Sequence, residues 1–176
     1  MKFHKFIFLL FFQFYLGFSF SQNVINLEEN KISTPLYEIS YNKSYYDFYE
    51  QINYGFALFY KFDNNDDDFL DSIRLSIENL QKFNTMDLDY YASLVEYGIK
   101  GDSKIIESKK VENNEKQPYF LIVYEKKLGE NNVKVYHRIY FNNGYGFNFS
   151  LSTVTNKFDK LYSESEEIFN SFNLLN

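Results

Sequence analysis

Hydrophobic positions recur at every second residue through the last third of the chain. VKVYHRIYF, 133–141, places Val133, Val135, Ile139 and Phe141 on one side. YGFNFSLST, 145–153, places Tyr145, Phe147, Phe149 and Leu151 opposite Gly146, Asn148, Ser150 and Ser152. A period of two belongs to a pleated strand. Between the two runs stands Asn142-Asn143-Gly144, and Asn-Gly supplies the positive φ angles of a tight hairpin, so the strands are expected to be antiparallel neighbours. YFLIVY, 119–124, is apolar throughout, as a strand covered on both faces should be. A looser turn at Gly129-Glu130-Asn131-Asn132 joins it to Val133, completing a three-strand meander. Earlier strands are expected over 36–41, 56–62, 73–80 and 104–111. In SIRLSIENL, Ile73, Leu75 and Ile77 share one face, with Arg74, Ser76 and Glu78 on the other.

Two segments change to a helical period. Leu88, Tyr91, Ala92, Val95 and Ile99 form one stripe at i, i+3, i+4, i+7 and i+11. Thr85 is the expected N-cap, Asp87 and Asp89 suit the first turn, and Gly101 is placed to end the helix. Phe158, Leu161, Tyr162, Ile168, Phe169 and Phe172 trace a second stripe, with Asn156 as the expected cap and Asp159 three residues on. Lys157, Lys160, Glu164, Glu166 and Glu167 lie on its other side. The terminal helix therefore has a large apolar face to bury and is expected to be part of the core.

The first residues read differently. Lys2 and Lys5 precede an apolar run from Phe6 to Leu16, and Ser19-Phe20-Ser21 ends it with small residues at −3 and −1. This is the layout of a secretory signal peptide, 1–21. Gln13 and Gly17 break the run, and a membrane span needs about 20 apolar residues, so no integral membrane anchor is expected. Cleavage after Ser21 sends the chain to the periplasm or the medium. The polar stretch 22–35, ending at Pro35, is expected as a flexible N-terminal arm, and 36–176 as a single domain.

Charge narrows the partners. The 18 basic residues lose Lys2 and Lys5 with the signal, leaving 16 against 24 acidic, a net charge of −8. Nucleic acid and anionic lipid are poor partners for such a surface. The chain has no cysteine, so neither disulfides nor thiolate metal sites support it. Its 17 Tyr and 21 Phe are expected mainly in the core.

The element order resembles the PsbP-like family, which includes the extrinsic PsbP subunit of photosystem II and many exported bacterial domains of unknown role. The resemblance covers about residues 36–175. It is carried by TMDLDYYASLVEYGIK as a helix, IIESKKV as a strand, PYFLIVYE, the hairpin, and FDKLYSESEEIFNSF at the end. The family's closing Ile-x-x-Ser-Phe stands here as Ile168-Phe169-Asn170-Ser171-Phe172, and its Thr-Leu-Asp-Glu-Tyr helix opening as Thr85-Met86-Asp87-Leu88-Asp89-Tyr90, one residue longer. A family Pro-x-x-Trp would align with Asn42-Lys43-Ser44-Tyr45, where both hallmark residues are replaced. The resemblance implies an α+β fold, an antiparallel-rich sheet with helices packed on both faces. It implies no shared catalytic constellation.

Few side chains are left for chemistry. His4 departs with the signal, so His137 is the single histidine of the mature chain; triad catalysis would have to run through it, and a zinc site of His and Cys ligands cannot be assembled. His137 shares the parity of Val135 and Ile139 and is expected as a core histidine. Gly144-x-Gly146 lies in a hairpin and is no phosphate loop. DNNDDDFLD, Asp63–Asp71, fails as an EF-hand, since Asp68 stands where Gly belongs and Arg74 where Glu belongs. It is expected as a solvated connector, with a weak cation site as the alternative. Tyr45, Tyr46, Tyr49 and Tyr54 could line a ligand groove or pack beneath the first strands. No catalytic, cofactor-binding or metal residue is assigned. The expectation is an exported non-catalytic accessory or binding domain with a protein partner in the envelope or medium. The alternative is a small-ligand or cation binder using the tyrosine cluster or the aspartate loop.

Overall fold

The computed structural model describes residues 26–28, 30–61, 70–113 and 116–175. The expected signal peptide and Asp63–Phe69 lie outside them. The chain runs β1 (Asn26–Glu28), β2 (Lys31–Ser33), β3 (Tyr37–Ser40), β4 (Tyr46–Glu50), β5 (Phe56–Tyr60), β6 (Ser72–Asn79), α1 (Leu88–Lys100), β7 (Lys104–Asn113), β8 (Lys116–Leu128), β9 (Asn131–Asn142), β10 (Tyr145–Val154), α2 (Phe158–Ser171) and β11 (Asn173–Leu174). A seven-stranded sheet has the order β4-β5-β6-β10-β9-β8-β7, and a four-stranded sheet the order β1-β2-β3-β11.

The meander is as the alternation predicts. Asn143 and Gly144 adopt φ of 49° and 78°, and Tyr145 pairs with Asn142 across the turn. The turn before β9 is tighter than expected: Leu128 pairs with Asn131, leaving Gly129 at φ 59° and Glu130 to close it. Register across the large sheet then sorts side chains by parity. Leu75, Phe149 and Ile77 point one way with Leu121, Val123, Tyr136 and Tyr140. Ile122 and Ile139 point the other way.

The two faces receive one helix each. On the first, α2 presents Phe158, Leu161, Ile168 and Phe169, all buried, and the small sheet adds Ile32, Tyr37 and Ile39. The Phe149 ring centre lies 4.4 Å from that of Phe169 and 5.2 Å from that of Phe172, both tilted, so the terminal helix closes the largest core, as its stripe implied. On the second face, α1 buries Tyr91 and Ala92 over Ile122 and Ile139. The α+β sandwich expected from sequence is therefore the observed architecture, and among the described residues no helix is long and apolar enough to cross a membrane.

Three local expectations are corrected. Asp87, not Thr85, caps α1: its carboxylate accepts the Tyr90 N–H at 2.8 Å, because an extended backbone at Asp87 brings the short acidic side chain over the first turn. Neither Asn156 nor Asp159 forms a capping box; a 3₁₀ turn at Thr155–Lys157 feeds directly into α2, and Lys157 in the cap position makes no side-chain cap bond. The expected arm is structured before Pro35. Ile32 is fully buried, β2 pairs with β3, and the Thr34 hydroxyl accepts the Tyr37 N–H at 3.0 Å while donating to its carbonyl.

One basic side chain ties these layers together. Arg138 is buried on the α2 face of β9. Its Nε donates to the Tyr136 hydroxyl at 2.9 Å, and Nη1 donates to the Phe169 carbonyl and the Asn170 Oδ1, both at 3.2 Å. Its guanidinium lies 4.8 Å from the Tyr119 ring centre and 5.2 Å from that of Phe169. Replacing Phe169 by Ala removes the ring from Phe149, Tyr136 and this cation at once. Urea unfolding is expected to show a loss of about 3–5 kcal/mol; a loss under about 1 kcal/mol would place the ring outside the core.

Candidate functional site

The tyrosine cluster is divided by strand parity. Tyr46 opens β4 and is buried, its hydroxyl 3.3 Å from Ser165 Oγ on α2 and its ring 5.7 Å from that of Tyr60. Tyr49 points to the opposite face, exposed, with its ring edge-on to Phe59 at 5.3 Å. Tyr54 sits in a 3₁₀ turn at φ 63°, where its carbonyl accepts the Tyr37 hydroxyl at 2.6 Å and its ring packs on the core. The four tyrosines therefore do not converge as one groove, the alternative to packing beneath the first strands, because an alternating strand cannot send residues 46 and 49 to one side.

What does converge is a different set. The β3–β4 connection, the end of β5 and the outer edge of α2 enclose a cleft of about 1230 Å³, lined by Tyr41, Tyr45, Tyr46 and Tyr60 with Lys43 and Glu164. The backbone shapes it locally. Asn42 accepts the Tyr45 and Tyr46 N–H groups through its carbonyl and that of Ser44 through its side chain, folding a tight turn. Lys61 Nζ donates to the Lys43 carbonyl at 2.8 Å and pairs with Asp47 at 3.4 Å, clasping that turn to β5. On the far wall, the Ser171 hydroxyl accepts the Ser40 N–H at 2.9 Å and donates to the end of α2. Tyr41 and Tyr60 were not singled out in the sequence, although their spacing on either side of Tyr45 and Tyr46 follows once β4 and β5 are paired.

The electrostatics suit recognition. Burial pushes the Tyr60 hydroxyl up to about 12, helped by the Glu164 carboxylate. Tyr46 and Tyr41 are likewise raised by burial. These phenols keep their protons at neutral pH and act as paired donors and acceptors on flat apolar rings.

The other candidates fall elsewhere. Asp71, the last residue of the aspartate loop, is buried at the start of β6 with Lys157 Nζ 3.5 Å from its Oδ2. It thus anchors the connector to β6; the rest of the loop is outside the described residues. Among the described residues no three His, Cys, Asp or Glu side chains gather as a metal set. His137 is buried, as its parity predicts, but it also lines a second hollow on the α1 face. The ring interacts with the Asn148 side chain, without reaching full hydrogen-bond geometry.

Burial lowers the His137 pKa to about 4, against a weaker opposing pull from Asn148. The folded imidazole is neutral where the free one, near 6.5, is taking up a proton. The unfolded chain therefore binds more protons between these values, and stability is lost as pH falls from about 6.5 towards 4. The loss is about 3 kcal/mol from this group. Urea midpoints at pH 7 and pH 4 for the wild type and His137→Leu should show the larger drop in the wild type; equal drops would mean that the imidazole is not held neutral.

Known structures share this arrangement. The chain superimposes on the solution structure of cyanobacterial PsbP (CyanoP) from Synechocystis sp. PCC 6803 with a TM-score of 0.57 and 16% identity, over 91% of this chain and 99% of that one. It superimposes on LpqN, involved in cell envelope biogenesis of Mycobacterium tuberculosis, with a TM-score of 0.58 and 8% identity, over 80% and 83% of the two chains. A Pseudomonas aeruginosa protein of unknown function, described as a putative regulator, matches with a TM-score of 0.51 and 11% identity over 74% and 88%. No protein-family model matches the chain, and no curated protein matches its sequence.

Proposed function

We propose that this chain, whose fold is PsbP-like, is an exported non-catalytic accessory domain that binds a protein partner in the periplasm or outside the cell through the tyrosine cleft. The observation that carries the reading is the cleft itself: four tyrosines, two of them buried, on a concave surface walled by the helix that closes the core. Tyrosine gives large contact area at low entropic cost and a hydroxyl that bonds either way, which is why it concentrates in binding surfaces. Lys43, Lys61, Glu164 and Glu167 line it with charge of both signs, favouring a mixed polar and aromatic segment over a purely acidic or basic one. The amino-terminal pattern supports export, and the likeness to LpqN supports a role in the envelope.

Two measurements test it. The amino terminus of the protein recovered outside the cytoplasm should be Gln22; recovery only of an intact Met1 form from the cytoplasm removes the export reading. A photo-crosslinking side chain at Tyr45, half-exposed at the cleft mouth, should capture one discrete partner in the native cell. The same side chain at Tyr97, exposed on the opposite helix, should not. Equal capture from both positions, or from Tyr97 alone, places the interface elsewhere.

A further inference from the structure

The large sheet ends in two edge strands of different character. At one end, β7 pairs with β8 through two slips of register, between Ile105 and Glu107 and between Val111 and Asn113. Its lysines are engaged, Lys109 with Glu107 at 2.6 Å and Lys110 with Asp89 of α1 at 3.0 Å. Irregular register and charged side chains keep an edge from accepting another strand. At the other end, β4 runs in unbroken register against β5, from Tyr46 opposite Tyr60 to Glu50 opposite Phe56. Among the described residues no strand pairs with its outer side.

The hydrogen bonds at the two ends of this pair fix which main-chain groups are left over. The Lys61 N–H donates to the Tyr45 carbonyl at 2.9 Å, and the Gln51 N–H to the Gly55 carbonyl at 2.8 Å. In an antiparallel pair alternate residues bond inward, so Asp47 and Tyr49 face β5 with Tyr45 and Gln51. The N–H and C=O groups of Phe48 and Glu50 then point out of the sheet edge. The Tyr46 carbonyl points the same way, while its N–H donates to the Asn42 carbonyl at 3.2 Å. A ring stands beside this row on each face. The Phe48 ring lies 6.3 Å from those of Tyr41 and Phe56 on the core side, and Tyr49, 56% exposed, meets Phe59 on the other. The strand also carries two exposed acids, Asp47 and Glu50, and no base.

We propose that β4 is a strand-addition site, along which the partner of the tyrosine cleft lays an extended segment with the order base, apolar, apolar, base. The inference rests on the reading of the cleft as the partner's site and says how that partner is held. Continuity links the two surfaces: Tyr45 and Tyr46 line the cleft and lead directly into the outward row. Main-chain bonds to Phe48 and Glu50 give attachment, and side chains that alternate between the faces give selection. The selection follows from Asp47-Phe48-Tyr49-Glu50, an acid, two rings on opposite faces and an acid. Directly opposed cross-strand pairs of opposite charge and of apolar groups are the favourable ones. The complementary order reads the same in both directions, so a parallel or an antiparallel segment fits it. A second copy of β4 would set the acids of both strands along one seam, with no base on either.

The test uses the full chain and a short peptide containing Lys-Val-Val-Lys, read by amide hydrogen exchange in NMR spectra. Without peptide, the Phe48 and Glu50 amides are expected to exchange rapidly and those of Asp47 and Tyr49 slowly. The peptide should protect the first two, and its counterpart with glutamate for lysine should bind about tenfold more weakly. Glu50→Pro removes an outward N–H and sets a ring against the incoming strand, while every bond to β5 is kept. It should abolish the protection and lower the yield of the Tyr45 crosslink about tenfold. Glu50→Gln keeps the N–H and decides the matter if the proline variant does not fold: it should narrow the gap between the two peptides. No protection at β4, equal binding of the two peptides, protection along β7 instead, or a dimer of the chain alone in sedimentation would overturn the proposal. A Tyr45 crosslink at full yield in Glu50→Pro would overturn it and leave the cleft reading intact. Absence of that crosslink in the unaltered chain overturns the cleft reading, and strand addition as its means of attachment with it.

Discussion

A cation buried without an anion is the constraint around which this fold is organised. Arg138 sits in the central layer and its described hydrogen-bond partners are neutral: a phenol, a main-chain carbonyl and an amide. Such a charge is costly unless its hydrogen bonds and surroundings replace water. Here the carbonyl and amide belong to the last turn of α2, where the helix dipole is negative, and the rings of Tyr119, Tyr136 and Phe169 supply their electron-rich faces. The arginine thus fixes where α2 ends on the sheet. From there only Phe172 precedes β11, which pairs with β3 and closes the small sheet over Tyr37 and Phe172. The arginine and the buried apolar stripe together set the position of the helix.

The same placement creates the cleft. With α2 pinned at its C-terminal end, its outer edge stands beside the β3–β4 turn, and the Ser171 hydroxyl locks the two by accepting the Ser40 N–H. Tyr46 reaches inward to Ser165 while Tyr45 stays at the mouth. The opposite face is covered less completely, because α1 buries only Tyr91 and Ala92 outright. One sheet therefore carries two concavities of different character, one aromatic and one lined by amide, imidazole and hydroxyl groups.

Most of the architecture was legible from periodicity. Ile73, Leu75 and Ile77 and the series Phe147, Phe149 and Leu151 do share the main core, and both helical stripes face the sheet. Alternation hides burial where a strand is covered on both sides. In VKVYHRIYF the residues between the apolar positions, Tyr136, Arg138 and Tyr140, look like a solvent face, yet all three are buried, because the sheet is covered on both sides. Strand β4 was hidden for a related reason: YDFYE, rich in tyrosine and acid, reads as a cluster and not as an edge strand with Phe48 turned towards the core. The cleft could not be read at all, since Tyr41, Tyr60 and Glu164 meet through pairing and helix docking between residues far apart in the chain.

The pattern of titration bears on what the two concavities can do. General acid–base work at neutral pH calls for a group whose pKa lies near 7. Burial moves the described candidates away from that value in both directions. It raises the phenols of Tyr46 and Tyr60 and depresses the imidazole of His137, so each holds its neutral form. The carboxylates pulled to lower pKa, Glu38 by Lys31 and Glu96 by Lys100, belong to ion pairs on the surface. Neutral donors and acceptors held in place by a rigid sheet discriminate among ligands by geometry, because any partner that fails to match leaves a buried polar group unpaired.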